Sequence, residues 1–306
     1  MSLETDLLLD RRRLKRRLNF WRVLAVVALT AAVLVAVLPR GTRIGGAHIA
    51  RVNVNGIITE DRRLLESVLA LAKDSSVKAV IVSIDSPGGS VAGGESLRAA
   101  LIRVAAVKPV VAVMNGTAAS AGYMVALPAA RIFAREATLT GSIGVILQTS
   151  EVSGLLGRVG VTADAITSGP LKDQPSFTRP LTPQGREYLH ALVNDMYEQF
   201  VGMVAEARKM QPARVKELAD GRAYTGRQAL SLGLVDQIGG EIEARAWLAE
   251  VHKLPETTPV QDLRTRSTLQ RAVGAVTGGV VDALAGALGV RALPSGAWAI
   301  WQGSVE

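Results

Sequence analysis

The chain contains no cysteine, and it is poor in aromatic residues and in histidine. The absence of cysteine excludes disulfides, thiolate zinc ligands and a cysteine nucleophile, and it leaves the cellular compartment open. Aromatic residues make up only 4% of the chain and are not interleaved with basic residues, so no base-stacking surface for nucleic acid is predicted. No pattern in the sequence indicates a cofactor or a metal site, and we expect neither.

The three histidines are His48, His190 and His252. None of them lies in a glycine-rich turn after a strand. A Ser-His-Asp triad is not excluded, but no local signal favours one. The simpler interpretation is that these are surface or packing histidines.

Positive charge is concentrated near the N-terminus, where six of the seven residues in "RRRLKRR" (11–17) are basic. An apolar run, "FWRVLAVVALTAAVLVAVL" (20–38), follows almost at once, and at about 1.5 Å per residue it would span roughly 28 Å, close to one bilayer core. This order favours a retained signal anchor with a cytoplasmic N-terminus over a nucleic-acid-binding tail. A cleaved signal peptide is the rival interpretation, but "VLPRGTR" offers no good cleavage site.

The rest of the chain alternates between strand-like and helix-like patterns. Strands are predicted at 48–56, 77–85, 109–114, 131–134, 143–147 and 161–166, and helices at 61–75, 93–107, 183–208, 212–219, 226–232 and 240–252. Continuous apolar runs such as "VKAVIVSID" are typical of strands buried on both faces. The alternation predicts an α/β fold with a parallel-rich sheet and crossover helices.

The turn "DSPGGSV" (85–91) ends the second buried strand. Its two glycines leave backbone N–H groups uncovered, and an N–H aimed into a cleft, such as that of Gly89, can bind an oxyanion. The alternative is a plain strand-to-helix turn that happens to use glycine.

Ser120 follows the next buried strand, in "NGTAASAGYM" (115–124). If parallel strands bring both turns to one edge of the sheet, Ser120 and the Gly-Gly turn converge. The N–H groups of Gly89 and Ala121 are then the natural pair of oxyanion donors. Ser120 is therefore a candidate nucleophile, and the alternative is an ordinary serine at a helix N-cap.

A serine hydroxyl needs a base, and a lysine can serve if it is neutral. Lys172 is the candidate, because it lies in a proline-rich loop, "TSGPLKDQPSFTRPLT" (167–182), that follows a predicted strand. The alternative is a solvated loop charge. Asp173 would favour that alternative if its carboxylate pointed the same way.

Five motifs in order resemble the short, single-domain form of the signal peptide peptidase A (SppA) family, the membrane-anchored bacterial serine proteases of type S49 with a ClpP/crotonase fold. They are "DSPGGSV", "NGTAASAGYMVAL", "TGSIGVI" (140–146), "SGPLKD" and "GRAYTGRQALSLGLVDQIGG" (221–240), and the resemblance spans about residues 48–250. "AASAGY" has alanine at 121 where many relatives have glycine, but a backbone N–H donor tolerates this.

The resemblance implies a Ser-Lys dyad, with Ser120 as nucleophile, Lys172 as general base, Gly89 and Ala121 as oxyanion donors, and Ser142 orienting the lysine. For Ser142 a plain turn serine is the alternative. It also implies a ring- or dome-like homo-oligomer in which Ser120 and Lys172 pair either within one protomer or across an interface. Cleaved signal peptides and other hydrophobic membrane-associated peptides are the implied substrates.

These inferences divide the chain into a cytoplasmic basic tail (1–19), a transmembrane signal anchor (20–38), a linker (39–47), a peptidase domain (48–253) and a Gly/Ala-rich tail (254–306). We expect a single-pass protein of the bacterial inner membrane with its catalytic domain outside the cytoplasm. Within the tail, 268–290 has the spacing of an amphipathic helix, and a second membrane span is the alternative. The tail after 265 falls outside the five motifs, and our hypothesis for it is that it occupies the protease groove or a subunit interface. Trp298 and Trp301 would lie at a membrane interface or against a neighbouring subunit.

Two other functions are compatible with parts of the sequence. A crotonase-like acyl-CoA enzyme shares the Gly-Gly oxyanion turn, although a membrane anchor would be unusual for it. A membrane scaffold that keeps the fold without proteolysis is the non-catalytic alternative, and the presence of both Ser120 and Lys172 argues against it.

Overall fold

The computed structural model describes residues 15–27, 46–263 and 298–300. The chain divides into two compact units, Met1–Gly46 and Ala47–Glu306. In the first unit residues 15–27 are helical (α1). No helix among the described residues combines the length and the apolarity that crossing a bilayer requires. Most of the predicted anchor at 20–38 lies outside those residues, so the anchor and the division into five segments stay predictions.

The second unit contains alternating strands and helices. Its described strands are β1 (His48–Asn55), β2 (Val77–Ser86), β3 (Gly88–Ser90), β4 (Val110–Ala119), β5 (Arg131–Ala134), β6 (Leu139–Gly141), β7 (Ala223–Thr225), β8 (Gln237–Ile238), β9 (Val260–Asp262) and β10 (Trp298–Ile300). Its described helices are α2 (Arg62–Leu71), α3 (Val91–Ala105), α4 (Ala121–Ala126), α5 (Ser153–Arg158), α6 (Pro183–Arg208), α7 (Pro212–Leu218), α8 (Gly226–Ser231) and α9 (Glu241–His252).

The main sheet has the strand order β7-β6-β4-β2-β1-β9, with β5 and β8 joined to it beside β4. All its pairings are parallel except β6 with β7. Strand β4 uses one edge twice, because Val111–Met114 pair with β5 and Thr117–Ala119 pair with β6. This architecture confirms the prediction of a mixed α/β fold with a parallel-rich sheet.

The central strands are buried on both faces. In β2, Val80, Val82 and Ile84 face a large core shared with α2, α3, α4 and α6, whereas Ala79 and Ile81 face a smaller core against α9. Both sets follow from the period-two geometry of a strand. The uninterrupted apolar run that predicted β2 is therefore the signature of its two covered faces.

Side-chain caps fix where the helices begin. The Asp61 carboxylate accepts from the N–H groups of the first turn of α2, and the Ser90 hydroxyl accepts from Gly93 at the start of α3. The Thr182 hydroxyl does the same for α6, with Pro183 at its first position. Such caps satisfy backbone donors that a helix leaves unpaired. They explain why the predicted helix starts fall within two residues of the observed ones.

Two predicted strands are wrong. Residues 143–147 form no strand, because β6 already fills the place beside β4 and Ser142, with φ +47°, turns the chain away. Residues 161–166 form no strand and pair with none in the described structure, and the side chain of Ile166 is fully exposed. A lone extended segment gains little stability without a neighbouring strand or a core to cover it.

The C-terminal tail is described only at 298–300. The predicted amphipathic helix at 268–290 and the position of Trp301 lie outside the described residues. Trp298 begins β10, which pairs antiparallel with β3 of the same chain. The sequence analysis placed this tryptophan at a membrane interface or on a neighbouring subunit and did not anticipate that strand.

Candidate active site

Ser120 occupies a sharp turn between β4 and α4. Its backbone dihedral angles are φ +55° and ψ −117°, a region that side-chain-bearing residues rarely adopt. Its side chain makes no capping hydrogen bond to α4, so the N-cap interpretation is wrong. The Oγ atom is buried and has no hydrogen-bond partner among the described residues. A buried hydroxyl without a partner on a strained turn indicates a functional position.

Backbone hydrogen bonds hold this turn in place. The Ser120 N–H donates to the Gly141 carbonyl at 2.8 Å, and the Ser120 carbonyl accepts from the Met124 N–H at 3.0 Å. These bonds anchor Ser120 to β6 on one side and to α4 on the other. The strain at Ser120 is therefore offset by contacts on both sides of the turn.

The Gly-Gly turn forms the short strand β3. Gly88 has φ +114°, which glycine alone adopts without strain. A side chain on Gly89 would place its Cβ only 1.9 Å from the Ile58 carbonyl oxygen. Both glycines are therefore required by the backbone path, one for its dihedral angle and the other for a close approach. The plain-turn interpretation does not account for the second requirement.

Ile58 binds one edge of β3. Its N–H donates to the Gly88 carbonyl at 2.8 Å, and its carbonyl accepts from the Ser90 N–H at 2.8 Å. Because successive N–H groups of a strand point to opposite edges, the Gly89 N–H faces away from Ile58. The Gly89 N–H therefore lies on the edge of β3 opposite Ile58 and beside the Ser120 turn's end of the sheet, which is the orientation that an oxyanion donor needs.

Ser86 holds the Gly-Gly turn in place, and the sequence analysis did not single it out. Its hydroxyl, which is completely buried, accepts from the Gly88 N–H at 3.1 Å and donates to the Gly88 carbonyl at 3.3 Å. It therefore fixes the peptide that precedes Gly89. The only available signal was its place between the strand and the glycines in "DSPGGSV".

The two turns meet at the carboxyl edge of the sheet. Ser86 pairs with Ala118 across β2 and β4, and a Cβ on Gly122 would lie 3.1 Å from the Ser86 carbonyl oxygen. The predicted convergence is thus present. Ala121 is fully buried and opens α4, so its N–H has no intrahelical partner.

The comparisons with known proteins agree with this arrangement. Residues 102–255, half of the chain, match the model of peptidase family S49. A candidate protease of Synechocystis sp. is 43% identical over 202 residues, which cover 66% of this chain and 73% of that protein. The chain belongs to peptidase family S49.

Two further relatives lie in the same group. A candidate signal peptide peptidase SppA of Enterococcus faecium is 34% identical over 227 residues, 70% of this chain and 66% of that protein. Protease 4 of Salmonella typhi is 40% identical over 184 residues, but these make up only 30% of its length and 60% of this chain. This S49 member is a serine protease, as the sequence predicted.

Among solved structures, a point mutant of ClpP1 from Listeria monocytogenes matches with a TM-score of 0.41 and 19% identity. The match covers 62% of this chain and 91% of that one. With a TM-score below 0.5, this likeness decides nothing about function.

Ser142 lies beside the turn of this S49 protease that carries Ser120. It directly follows Gly141, whose carbonyl accepts from the Ser120 N–H. Ser142 is buried, has φ +47°, and donates its own N–H to the Arg222 carbonyl at 2.9 Å. The structure therefore brings Ser120 and Ser142 together on adjacent strand ends.

Lys172 is not brought to Ser120 within one copy of the chain. Its side chain is exposed, and within the described residues its ammonium has no hydrogen bond or ion pair. Asp173 does not neutralise it, because the Asp173 carboxylate pairs with Arg179. Among the described residues of one chain, Lys172 therefore has no partner.

No other basic side chain in the described structure takes the place of Lys172. Burial lowers the pKa of the Lys108 ammonium, but Lys108 precedes β4 whereas Ser120 follows it, so the two lie at opposite ends of a ten-residue strand. None of the three histidines bonds to Ser120 Oγ, which has no partner. A histidine-based triad is therefore not formed among the described residues.

Proposed function

We propose that this S49 serine protease is a membrane-anchored endopeptidase that cleaves hydrophobic peptides, including the remnants of signal peptides, with a Ser120–Lys172 dyad. The observation that carries the proposal is the buried, unpaired Oγ of Ser120 on a strained turn beside the Gly88–Gly89 strand. The assignment of Lys172 as the base comes from the sequence resemblance, and the assignment of a membrane anchor comes from the apolar segment that precedes the domain.

In the proposed reaction, Ser120 Oγ attacks the peptide carbonyl carbon while its proton passes to the neutral Nζ of Lys172. The Gly89 and Ala121 N–H groups stabilise the resulting oxyanion. The carbon–nitrogen bond then breaks, and Nζ gives the proton to the leaving amine. A water molecule hydrolyses the acyl-serine, with Nζ accepting and returning a proton in the same way.

The lysine is supplied by a second copy of the chain in this proposal. Among the described residues of one copy, Ser120 Oγ is buried without a partner, and the Lys172 ammonium is exposed without one. An interface that joins them would withdraw the amine from water, which favours its neutral form. In this proposal Ser142, adjacent to the Ser120 turn, forms a hydrogen bond with the incoming amine and orients it.

The segment that carries Lys172 has the surface of an interface. From α5 through the loop before α6, large apolar side chains are exposed: Leu155 62%, Val159 65%, Val161 49%, Ile166 103% and Phe177 62%. Exposure of several large apolar side chains along one segment is typical of a binding surface. A homo-oligomer would cover it, in agreement with a ring- or dome-like assembly.

The pairing across copies can be tested by mixing two inactive variants, Ser120→Ala and Lys172→Ala. Each alone should lose at least about 10³-fold in rate. Co-expressed, they should regain activity, because random mixing places an intact serine beside an intact lysine at about a quarter of the sites. If the dyad lies within one copy, no mixed site is complete and the activity stays lost.

A fluorophosphonate probe tests the role of each residue. We expect labelling of the detergent-solubilised protein to disappear in Ser120→Ala and nearly disappear in Lys172→Ala. Lys73→Ala, an exposed lysine at the opposite end of the sheet, is the matched control and should label normally. Equal labelling of the wild type and Lys172→Ala would show that the base is another group.

A further inference from the structure

We propose that Asp85 is a positioning residue for the nucleophile, because its carboxylate holds a bulge in β4 (residues 115–117) that sets where Ser120 lies relative to β3. The inference rests on the proposed function, since it takes Ser120 as the nucleophile. Its support is separate from that function. It comes from the register of β4 and from the hydrogen bonds that Asp85 and Thr138 make to the bulge.

The bulge is defined by the pairing of β2 with β4. The strands pair one to one as far as Ile84 with Met114, and the next pair is Ser86 with Ala118. Between these pairs β2 advances two residues and β4 advances four, so Asp85 alone lies opposite the three residues of the bulge. Two residues of extended strand measure roughly 6–7 Å. The bulge therefore decides how far along the sheet the following residues of β4 lie.

The Asp85 carboxylate binds the bulge from the side of β2. Its Oδ1 atom accepts from the Thr117 N–H at 3.0 Å. A Cβ on Gly116 would lie 3.2 Å from the same oxygen, so the carboxylate lies directly against the bulge. A bulge interrupts the hydrogen-bond ladder between two strands, and Asp85 provides a side-chain acceptor where that ladder is interrupted.

Thr138 binds the bulge from the other side. Its side chain is buried, and its hydroxyl donates to the Asn115 carbonyl at 2.5 Å and accepts from the Arg135 N–H at 3.0 Å. At this point β4 passes from one neighbour to the next, because Met114 is its last residue paired with β5 and Thr117 its first paired with β6. The bulge is thus held between a side chain of β2 and one from the segment that joins β5 to β6.

The position of the bulge links Asp85 to the nucleophile. Thr117 precedes Ser120 by only three residues, so a displacement of the bulge passes along this short segment to the hydroxyl. The next residue of β2, Ser86, fixes the peptide that precedes the oxyanion donor in β3. Two consecutive side chains of β2 therefore hold the two halves of the site, Asp85 the nucleophile turn and Ser86 the oxyanion strand.

Peptide kinetics with the detergent-solubilised full chain test this role. Asp85→Ala removes the acceptor, and we expect kcat to fall by about 10- to 10²-fold, the effect of a misplacement of about 1 Å. KM should stay within about twofold, because the change displaces the nucleophile and leaves the oxyanion strand in place. Asp85→Asn keeps an oxygen that can accept from Thr117, so its kcat should stay within about threefold of the wild type.

Ser83→Ala is the matched control in the same strand. It loses a hydrogen bond from the side chain of Asn115 but none from the main chain of the bulge. Its kcat should equal that of the wild type, even if urea denaturation shows that it loses as much stability as Asp85→Ala. If Asp85→Ala does not fold, Thr138→Val removes the hydroxyl on the other side of the bulge and should lower kcat in the same way, whereas Thr138→Ser should not.

Amide hydrogen exchange at Thr117 reports on the bulge itself. It should be at least about tenfold faster in Asp85→Ala than in the wild type and in Asp85→Asn. Unchanged exchange, or a wild-type kcat in a folded Asp85→Ala chain, would overturn the proposal. Equal losses of kcat in the alanine and asparagine variants would also overturn it, because they would assign the effect to charge.

Fluorophosphonate labelling separates this inference from the proposed function. If the probe does not label Ser120 in the wild type, the proposed function fails, and the positioning role fails with it. If the wild type labels at Ser120 and Asp85→Ala labels at the same rate, only the positioning role fails. Slower labelling of Asp85→Ala, restored in Asp85→Asn, supports both.

Discussion

The N–H of Ser120 donates to the carbonyl of Gly141 at 2.8 Å, and this hydrogen bond joins the turn after β4 to the turn after β6. The residues that follow the two strands, Ser120 and Ser142, both have positive φ angles. The candidate nucleophile is therefore held by the main chain of its neighbours, and its hydroxyl has no hydrogen-bond partner in the part of the chain that the structure describes. Substitutions at these turns should separate effects on strain from effects on chemistry.

The strain at Ser120 can be measured by comparing Ser120→Gly with Ser120→Ala. Both should abolish probe labelling, because both remove the hydroxyl. The glycine variant should be more stable by about 1 kcal/mol, since glycine adopts positive φ without a Cβ penalty. Urea denaturation gives the two free energies of unfolding, and equal values would mean that the turn carries no strain.

Gly89→Ala should remove activity while most of the core remains folded. The added Cβ would lie 1.9 Å from the Ile58 carbonyl oxygen. Strand β3 must therefore move, and the Gly89 N–H no longer points toward the oxyanion. Loss of one oxyanion donor costs about 10²-fold or more in kcat. The matched control is Gly202→Ala in α6, where nothing lies within 4 Å. That change should stabilise the protein by about 0.5–1 kcal/mol and leave the rate unchanged. Retention of the full rate by Gly89→Ala would remove Gly89 from the oxyanion site.

Ser86→Ala tests the residue that fixes the Gly88 peptide. The change leaves the buried Gly88 N–H without its acceptor, which costs about 1–3 kcal/mol of stability. Because this peptide orients Gly89, kcat should fall as well. Ser83 lies in the same strand as Ser86, and its hydroxyl accepts a hydrogen bond from the Asn115 side-chain amide of β4. Ser83→Ala loses that hydrogen bond and should cost stability alone. Equal rates for both variants would confine Ser86 to a structural role.

Activity should fall as the pH is lowered from neutral, because the proposed base accepts a proton only when Lys172 is neutral. Protonation fills that position and blocks attack by Ser120. The initial rate of probe labelling against pH measures this, with the thermal unfolding midpoint recorded at each pH to confirm that the fold persists. A labelling rate independent of pH between neutral and acidic conditions would count against a lysine base.

Tyr123→Phe should reduce stability without changing the rate. Its ring is fully buried and its hydroxyl donates to the Leu234 carbonyl at 2.8 Å. Burial raises the pKa of the phenol, as expected of a core tyrosine that stays protonated. Loss of the donor should cost about 1–2 kcal/mol. A clear change in KM would instead show that Tyr123 contributes to the substrate site.

The parts of this fold that the sequence predicted are those that depend on local patterns. Strands β1, β2 and β4 follow from apolar runs and alternation, and helices such as α6 follow from spacing and a cap. The candidate nucleophile and the Gly-Gly turn were recognisable because both interrupt buried strands with small residues. Parallel pairing then placed them at one edge.

The remaining features depend on contacts between distant segments. The bridge from Ile58 to Gly89 involves main-chain atoms of two turns, which no side-chain pattern encodes. The pairing of β10 with β3 joins the C-terminal tail to a three-residue strand. The strand predicted at 161–166 has alternating apolar and polar residues, but it has no partner strand among the described residues. Lys172 likewise has no partner among the described residues of one copy, and the proposed dyad takes it from a second copy.

The main-chain nature of the Ile58 contact limits how this part of the protein can change. Both hydrogen bonds to β3 come from the N–H and carbonyl of Ile58, and its side chain only fills the core. Position 58 thus tolerates substitution by other apolar residues of similar volume, whereas positions 88 and 89 are restricted to glycine. Redesign of peptide selectivity should therefore leave this pair of turns intact and alter other residues that line the cleft.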